Sequence, residues 1–179
     1  MTSRYSVALL FIILTTLFMA FTISADKSHD AGRIASDTLV YGYKALDHFV
    51  QLAGESKESL QIITCKLTSQ KALETLVNAA QRGLDVDLIV DGNASRKAES
   101  FVDSAESGGV TIHRWNTKKL GKLHAKLYIF DRSSVMIGSF NLSKSAETSN
   151  FETFFHSRDK DVVDESLRLW RDLIEQTGG

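Results

Sequence analysis

The stretch His124 to Ser143, HAKLYIFDRSSVMIGSFNLS, sets His124, Lys126, Asp131, Gly138, Ser139 and Asn141 at fixed spacings. A lysine ammonium and an amide stabilise anionic oxygens, while a histidine attacks phosphorus or carries a proton near neutral pH. With a hydroxyl beside them, these groups suit a bound phosphate. The apolar residues between them read as two short strands joined by a turn. Alternation along a strand sends His124 and Lys126 to one side, and Ser139 and Asn141 likewise to one side. Asp131 is an odd number of residues from His124 and faces away, so it is assigned, with Gly138, a structural role, bracing the turn at Arg132 to Ser134. An isolated His-x-Lys on a strand is usually a solvated edge, but all six residues at these spacings arise by chance in roughly one chain in a million at average residue usage.

In this form the pattern resembles the HKD motif of the phospholipase D superfamily, as its small single-motif nucleases carry it. Glu152, in NFETFF, stands where that family places a carboxylate that orients the histidine, and the order of elements from about Thr38 to Gln176 is also similar. The resemblance implies a phosphodiesterase with no metal and no cofactor, an endonuclease hydrolysing DNA or RNA. By the same resemblance His124 attacks phosphorus to form a phosphohistidine, a second histidine protonates the leaving oxygen, and water releases the product. Lys126 and Asn141 then hold the non-bridging oxygens, Ser139 supports them, and Glu152 fixes the orientation and tautomer of the histidine. In-line displacement needs nucleophile and acid on opposite sides of phosphorus, and one chain supplies one motif. The implied partner is therefore a second copy, in a homodimer with the active site at the subunit interface. Two other readings compete: a phospholipase D or cardiolipin hydrolase acting on lipid phosphodiesters, and a catalytically silent nucleic-acid-binding module.

Charge separates these readings. The 179-residue chain has a formal charge of −1, and its first 25 residues hold one charged side chain, Arg4, which leaves −2 on the remainder. Bulk charge therefore does not advertise a nucleic-acid partner. Locally the balance differs: no acidic residue stands between Glu106 and Asp131, whereas Arg114, Lys118, Lys119, Lys122 and Lys126 do. Lys118, Lys119 and Lys122 lead directly into His124 and are expected to guide a polyanionic backbone, with Lys144 extending the patch. This loop, and the want of an evident apolar loop for entering a bilayer, favour the nuclease. Trp115, at the end of an apolar strand, reads as core rather than a base-stacking residue.

Residues 5–25 carry no charge and are mostly apolar, preceded by Arg4. They read as a signal peptide or an amino-terminal membrane anchor, the length serving either. Positive charge ahead of the segment delivers the following domain across the membrane in both cases, so the expected location is periplasmic or secreted, with anchoring by an uncleaved helix as the alternative. Residues 26–37 read as a linker and residues 38–179 as one catalytic domain, a length that supports a substantial core.

The elements that must position the motif alternate. Helical spacing marks Tyr43 to Ala53, Gln70 to Arg82 (ended by Gly83), Ser95 to Ser107 and Asp161 to Glu175; strand patterns mark Ser59 to Lys66, Asp85 to Val90, Val110 to Trp115 and Glu152 to His156. Such alternation predicts an α/β fold with a mixed, largely parallel central sheet flanked by helices, the motif strands lying centrally. No internal repeat supplies a second motif. Cys65 is the only cysteine, in a strand-like LQIITCKL setting that suits a core thiol, and excludes an internal disulfide. His29, His48, His113 and His156 lack metal-site spacing. Of these, His113 is kept as a minor candidate for substrate contact.

Overall fold

The computed structural model describes residues 37–43, 45–93 and 96–178. The amino-terminal segment over 5–25 and all but the last residue of the linker lie outside the described residues. Among the described residues no helix is long and apolar enough to cross a membrane.

Seven strands form one sheet: β1 (Asp37–Gly42), β2 (Ser59–Thr64), β3 (Asp85–Asp91), β4 (Thr111–Trp115), β5 (Leu127–Phe130), β6 (Ser134–Gly138) and β7 (Glu152–Ser157). Their spatial order is β1-β7-β6-β5-β2-β3-β4, which puts β5 in the middle. The helices are α1 (Ala45–Glu55), α2 (Gln70–Gln81), α3 (Arg96–Ser107), α4 (Thr117–Leu120), α5 (Lys144–Thr148) and α6 (Lys160–Thr177).

The mixed sheet expected from the alternation is present, but parallel pairing is confined to β2-β3 and β3-β4. The other four pairings are antiparallel, so the sheet is not largely parallel. The reason is local. Three residues separate β5 from β6, room for a hairpin, whereas a parallel return needs a crossover of a dozen or more residues. β1 is a further departure: its residues were read as the end of the linker and the start of the domain, yet it pairs along its length with β7 from the far end of the chain. An edge strand with mostly exposed side chains has no periodic apolar signal to betray it.

β2 is buried at every position and β5 likewise, as strands covered on both faces must be. On one face Leu60, Ile62, Leu88, Tyr128, Met136 and Phe154 meet helices α1 to α3 around Phe49, Leu76 and Val102. On the other, Ile63, Ile89, Leu127, Ile129 and Val135 meet Val163 and Trp170 of α6. Ser69 caps α2 by accepting the Ala72 N–H at 3.1 Å, and Asp159 caps α6 through the Asp161 and Val162 N–H groups. Helix α6 covers β4, β5 and β6. Beyond it, Leu39, Phe155 and Ile137 form one cross-strand row over β1, β7 and β6 and stay exposed, at 64%, 37% and 39%.

The register brings one end of each of the seven strands to one edge of the sheet, the carboxyl end of β1 among them. The carboxyl ends of β2, β3 and β4 lie there, and so do the amino end of β5, the carboxyl end of β6 and the amino end of β7, because their pairings are antiparallel. Lys126, Ser139 and Glu152 all stand at this edge.

Candidate active site

His124 and Lys126 precede β5 rather than lying within it. Regular pairing begins at Leu127, and Lys126 keeps one ladder bond, accepting the Gly138 N–H at 3.3 Å. His124 is therefore exposed at the end of an irregular segment, while Lys126 is buried at 6% exposure and turns its Nζ back to donate to the His124 carbonyl at 2.5 Å.

The two groups tune each other. The Lys126 ammonium, foremost, and then burial, Lys122 and Lys66 hold the His124 imidazole below the usual histidine range. Burial likewise pushes Lys126 below the usual lysine range, with Lys122 adding to the effect and Glu152 opposing it. The consequence is a histidine whose neutral form, with a free lone pair, is favoured over its imidazolium.

Gly138 ends β6 where no larger residue fits. A Cβ there would stand 2.6 Å from the Phe154 Cα and against the Thr153 carbonyl. That close approach sets Ser139 opposite Thr153, whose N–H donates to Ser139 Oγ at 3.1 Å and whose carbonyl accepts the Ser139 N–H at 2.9 Å. Ser139 Oγ also donates to Glu152 Oε2. Glu152 is buried, with Asn150 Nδ2 donating to its Oε1 at 2.9 Å. Within the chain its carboxylate thus holds Ser139 and Asn150, and among the described residues no hydrogen bond joins it to His124. The orienting role that the resemblance implies for Glu152 is not made inside one chain. Asn141 Oδ1 accepts from Thr64 Oγ1 at 3.3 Å, which directs the amide and leaves its Nδ2 protons for an anionic oxygen.

Asp131 occupies the opposite end of the hairpin. Its carboxylate accepts the Lys57, Glu58 and Ser59 N–H groups at 2.8 to 3.1 Å, tying the hairpin to the α1–β2 turn. It touches no residue of the His124 edge in these bonds.

The basic residues divide. Lys122 reaches the His124 environment, and so does Lys66, which the sequence reading did not single out. Lys118 and Lys119 lie on α4, with Lys118 beside a separate cavity that Arg114 and Trp115 also line. Arg114 is neutralised by Glu99, Asp103 and Glu106 of α3, and Lys144 pairs with Glu147 at 3.2 Å. Trp115 is core, its Nε1 donating to the Gly121 carbonyl at 2.8 Å. His113 meets Asp87 at 2.9 Å and the edge of Trp170, a packed position that removes it as a candidate for substrate contact. His48 and His156 contact each other at 3.3 Å between α1 and β7.

Three positioning residues escaped sequence reasoning. Thr64 aims Asn141, Lys66 adds charge, and buried Asp91 accepts from Asn93 N, Thr117 Oγ1 and Leu123 N at 2.9 to 3.0 Å, fixing the loop that leads to His124. One signal was available: all three stand at or just beyond the carboxyl ends of β2 and β3, where open α/β sheets place their ligands.

Comparison with known proteins agrees with this geometry. A family model described as "Cardiolipin synthase, PLD-like domain" matches residues 49–172. A phospholipase D of Rickettsia felis is 27% identical over 115 residues, 64% of this chain and 56% of that protein. A mitochondrial cardiolipin hydrolase of Chlamydomonas reinhardtii is 24% identical over 108 residues, 60% of this chain and 48% of that protein. The chain thus spans about half the length of these two relatives. The crystal structure of Nuc from Salmonella typhimurium, described as a phospholipase D family member, superimposes with a TM-score of 0.71 at 24% identity, covering 78% of this chain and 95% of that one. That likeness shows the fold. Given the family match from Phe49 to Asp172, which takes in His124, Lys126, Ser139, Asn141 and Glu152, the chain belongs to the PLD-like domain family of the phospholipase D superfamily.

Proposed function

We propose that the protein is a metal-independent phosphodiesterase that cleaves nucleic acid through a phosphohistidine, working as a homodimer. One observation carries the reading: an exposed His124, its pKa lowered by neighbouring ammonium groups, stands at the sheet edge that also presents Lys126, Ser139 and Asn141. A ring nitrogen of His124 attacks phosphorus as the bond to the leaving oxygen breaks, and the partner's His124, protonated, delivers the proton. Water then attacks the phosphohistidine, the phosphorus–nitrogen bond breaks, and the partner's His124 takes the proton back. Lys126 and the Asn141 amide stabilise the charge that develops on the non-bridging oxygens.

The dimer is supported by the face beside the site. A groove of about 760 Å³, lined by His124, Lys126, Ile137 and Leu169 with Asp161 and Glu165 at its side, shares Ile137 with the exposed row of Leu39, Phe155 and Ile137. An apolar face of this kind suits a self-complementary contact, and His124 at its margin would meet its counterpart across the two-fold axis.

The test mixes wild-type and His124→Ala chains, refolded together at varied ratios, on a plasmid substrate in EDTA. Activity is expected to persist in chelator and to fall as the square of the wild-type fraction. A linear fall with random pairing verified, or loss in EDTA restored by magnesium, refutes the mechanism.

A lipid substrate is the second reading. It is favoured by the exposed cluster of Tyr41, Tyr43 and Phe151, whose rings meet at 5.5 and 6.3 Å, an apolar surface that the sequence did not disclose. Phospholipid vesicles cleaved faster than plasmid DNA, single strands and RNA would select it.

A further inference from the structure

A polar trough of about 590 Å³ is lined by Lys66, Thr68, Asn93, Ser143, Ser145 and Lys122, the last of these standing two residues before His124 in the chain. Its walls come from the segments just past β2 and β6, the end of β3, and the loop before His124, with Ala98 of α3, Thr117 of α4 and Ser145 of α5, so the trough lies at the same sheet edge. Charge balance is its notable property. Among its described lining residues the one carboxylate, Asp91, spends its oxygens on Asn93 N, Thr117 Oγ1 and Leu123 N. Lys66 and Lys122 are exposed and form no ion pair among the described residues, whereas Lys71, Lys144 and Lys160 each have a carboxylate.

Three lysines gather at the approach to His124: Lys122 two residues before it, Lys126 two after it, and Lys66 just past the end of β2, where Ile63 pairs with Leu127 of β5. A scissile phosphodiester carries one negative charge, and buried Lys126 meets it. The ammonium groups of Lys66 and Lys122 remain, and both line the trough. Hydroxyls complete the cradle: Thr68 Oγ1 accepts the Lys144 N–H at 3.2 Å, which leaves its O–H to donate, and Ser145 Oγ stands 3.2 Å from Ser143 Oγ. Donors with surplus positive charge match a second phosphate.

We infer that this trough is a second phosphate subsite, taking the phosphate adjacent along the strand to the one cut at His124. The substrate class is then a polynucleotide rather than an isolated diester, with Lys66 and Thr68 as specificity-determining residues. The inference rests on the phosphodiesterase reading above.

The test uses the full-length protein and two pairs of chromogenic diesters. One pair is thymidine 5′-(p-nitrophenyl phosphate) with and without a 3′-phosphate; the other is thymidine 3′-(p-nitrophenyl phosphate) with and without a 5′-phosphate. In one pair the second phosphate is expected to raise kcat/KM about tenfold at low ionic strength, the advantage shrinking as salt screens it. Lys66→Gln should cut that advantage to about twofold or less, and Lys66→Arg should keep most of it. Lys57→Gln removes the same charge at the opposite end of β2 and should leave the advantage intact. No advantage in either pair for the wild type, or an advantage undiminished in Lys66→Gln, overturns the subsite and leaves the phosphodiesterase reading standing. Hydrolysis of none of the four diesters overturns both. Cleavage of cardiolipin vesicles that depends on Lys66, with no advantage on the nucleotide pairs, would assign the trough to a lipid's second phosphate and overturn the nucleic-acid subsite.

Discussion

Asp131 belongs to the motif by spacing, yet the structure puts it at the far end of the hairpin from His124, so replacing it should cost stability and spare chemistry. Its carboxylate accepts the Lys57 N–H at 3.1 and 2.9 Å, the Glu58 N–H at 2.8 Å and the Ser59 N–H at 3.0 Å. In Asp131→Asn the amide carbonyl can replace Oδ1 and retain Glu58 and Ser59, but the NH₂ at the Oδ2 position faces the Lys57 N–H, donor against donor. Losing one charge-assisted bond and the net charge, partly solvated, amounts to about 2 kcal/mol. Asp131→Ala forfeits all three partners and also sets alanine at a φ of +50°, which asparagine tolerates, so its loss is larger, about 3–4 kcal/mol. Urea unfolding followed by Trp115 and Trp170 fluorescence measures the difference, while kcat on a p-nitrophenyl diester, taken where each variant is fully folded, measures the chemistry. The pH dependence adds a check on sign. Burial alone would raise the Asp131 pKa, but the backbone donors and Lys57 outweigh it and hold the carboxyl below the usual range. A depressed folded pKa stabilises above the unfolded value near 4 and is lost as pH falls below it, so Asp131→Asn should flatten that acid loss. An unchanged urea midpoint together with a hundredfold fall in kcat would refute the structural assignment.

Gly138→Ala should cost about 3 kcal/mol, read by thermal melting, because its Cβ meets the Phe154 Cα at 2.6 Å, and activity should fall with it as Ser139 is displaced from Thr153. Arg132 has a φ of +53°, so Arg132→Gly should raise the unfolding free energy by about 0.5–1 kcal/mol, read as a higher urea midpoint. Burial, then the neighbouring His48 and Arg158, lower the His156 pKa to about 4, and burial also lowers that of His48. Folded pKa values below the unfolded 6.5 mean that stability is full above that pH and declines from 6.5 towards 4, by up to about 3 kcal/mol for His156; denaturation of His156→Phe across that window should show a flatter decline. Lys122→Gln removes a charge that lowers the His124 pKa, so the acid limb of the kcat/KM profile should move up towards 6.5; a downward move would contradict the assignment of His124 as the group that must be neutral.

The sequence by itself determined the motif, its phosphate chemistry and the alternation of helices and strands, because each depends on spacing between near neighbours. Gly83 closing α2 and the two motif strands are of this kind: φ is +89° at the glycine, and the apolar periods change where the elements do. Only the tertiary structure decided which strand ends share an edge. Thr64, Lys66 and Asp91 lie dozens of residues before His124, and no local period relates them to it; they meet because β5 pairs antiparallel with β2 and β2 parallel with β3. Charge was redistributed in the same way. Arg114 looked free in the chain but is neutralised by three carboxylates of α3, Lys144 is paired with Glu147, and Lys66, silent in sequence, faces the site without a partner among the described residues. A strand such as β1, exposed along most of its length, leaves no apolar alternation to read, so its place at the sheet edge depends wholly on β7, a partner more than a hundred residues away.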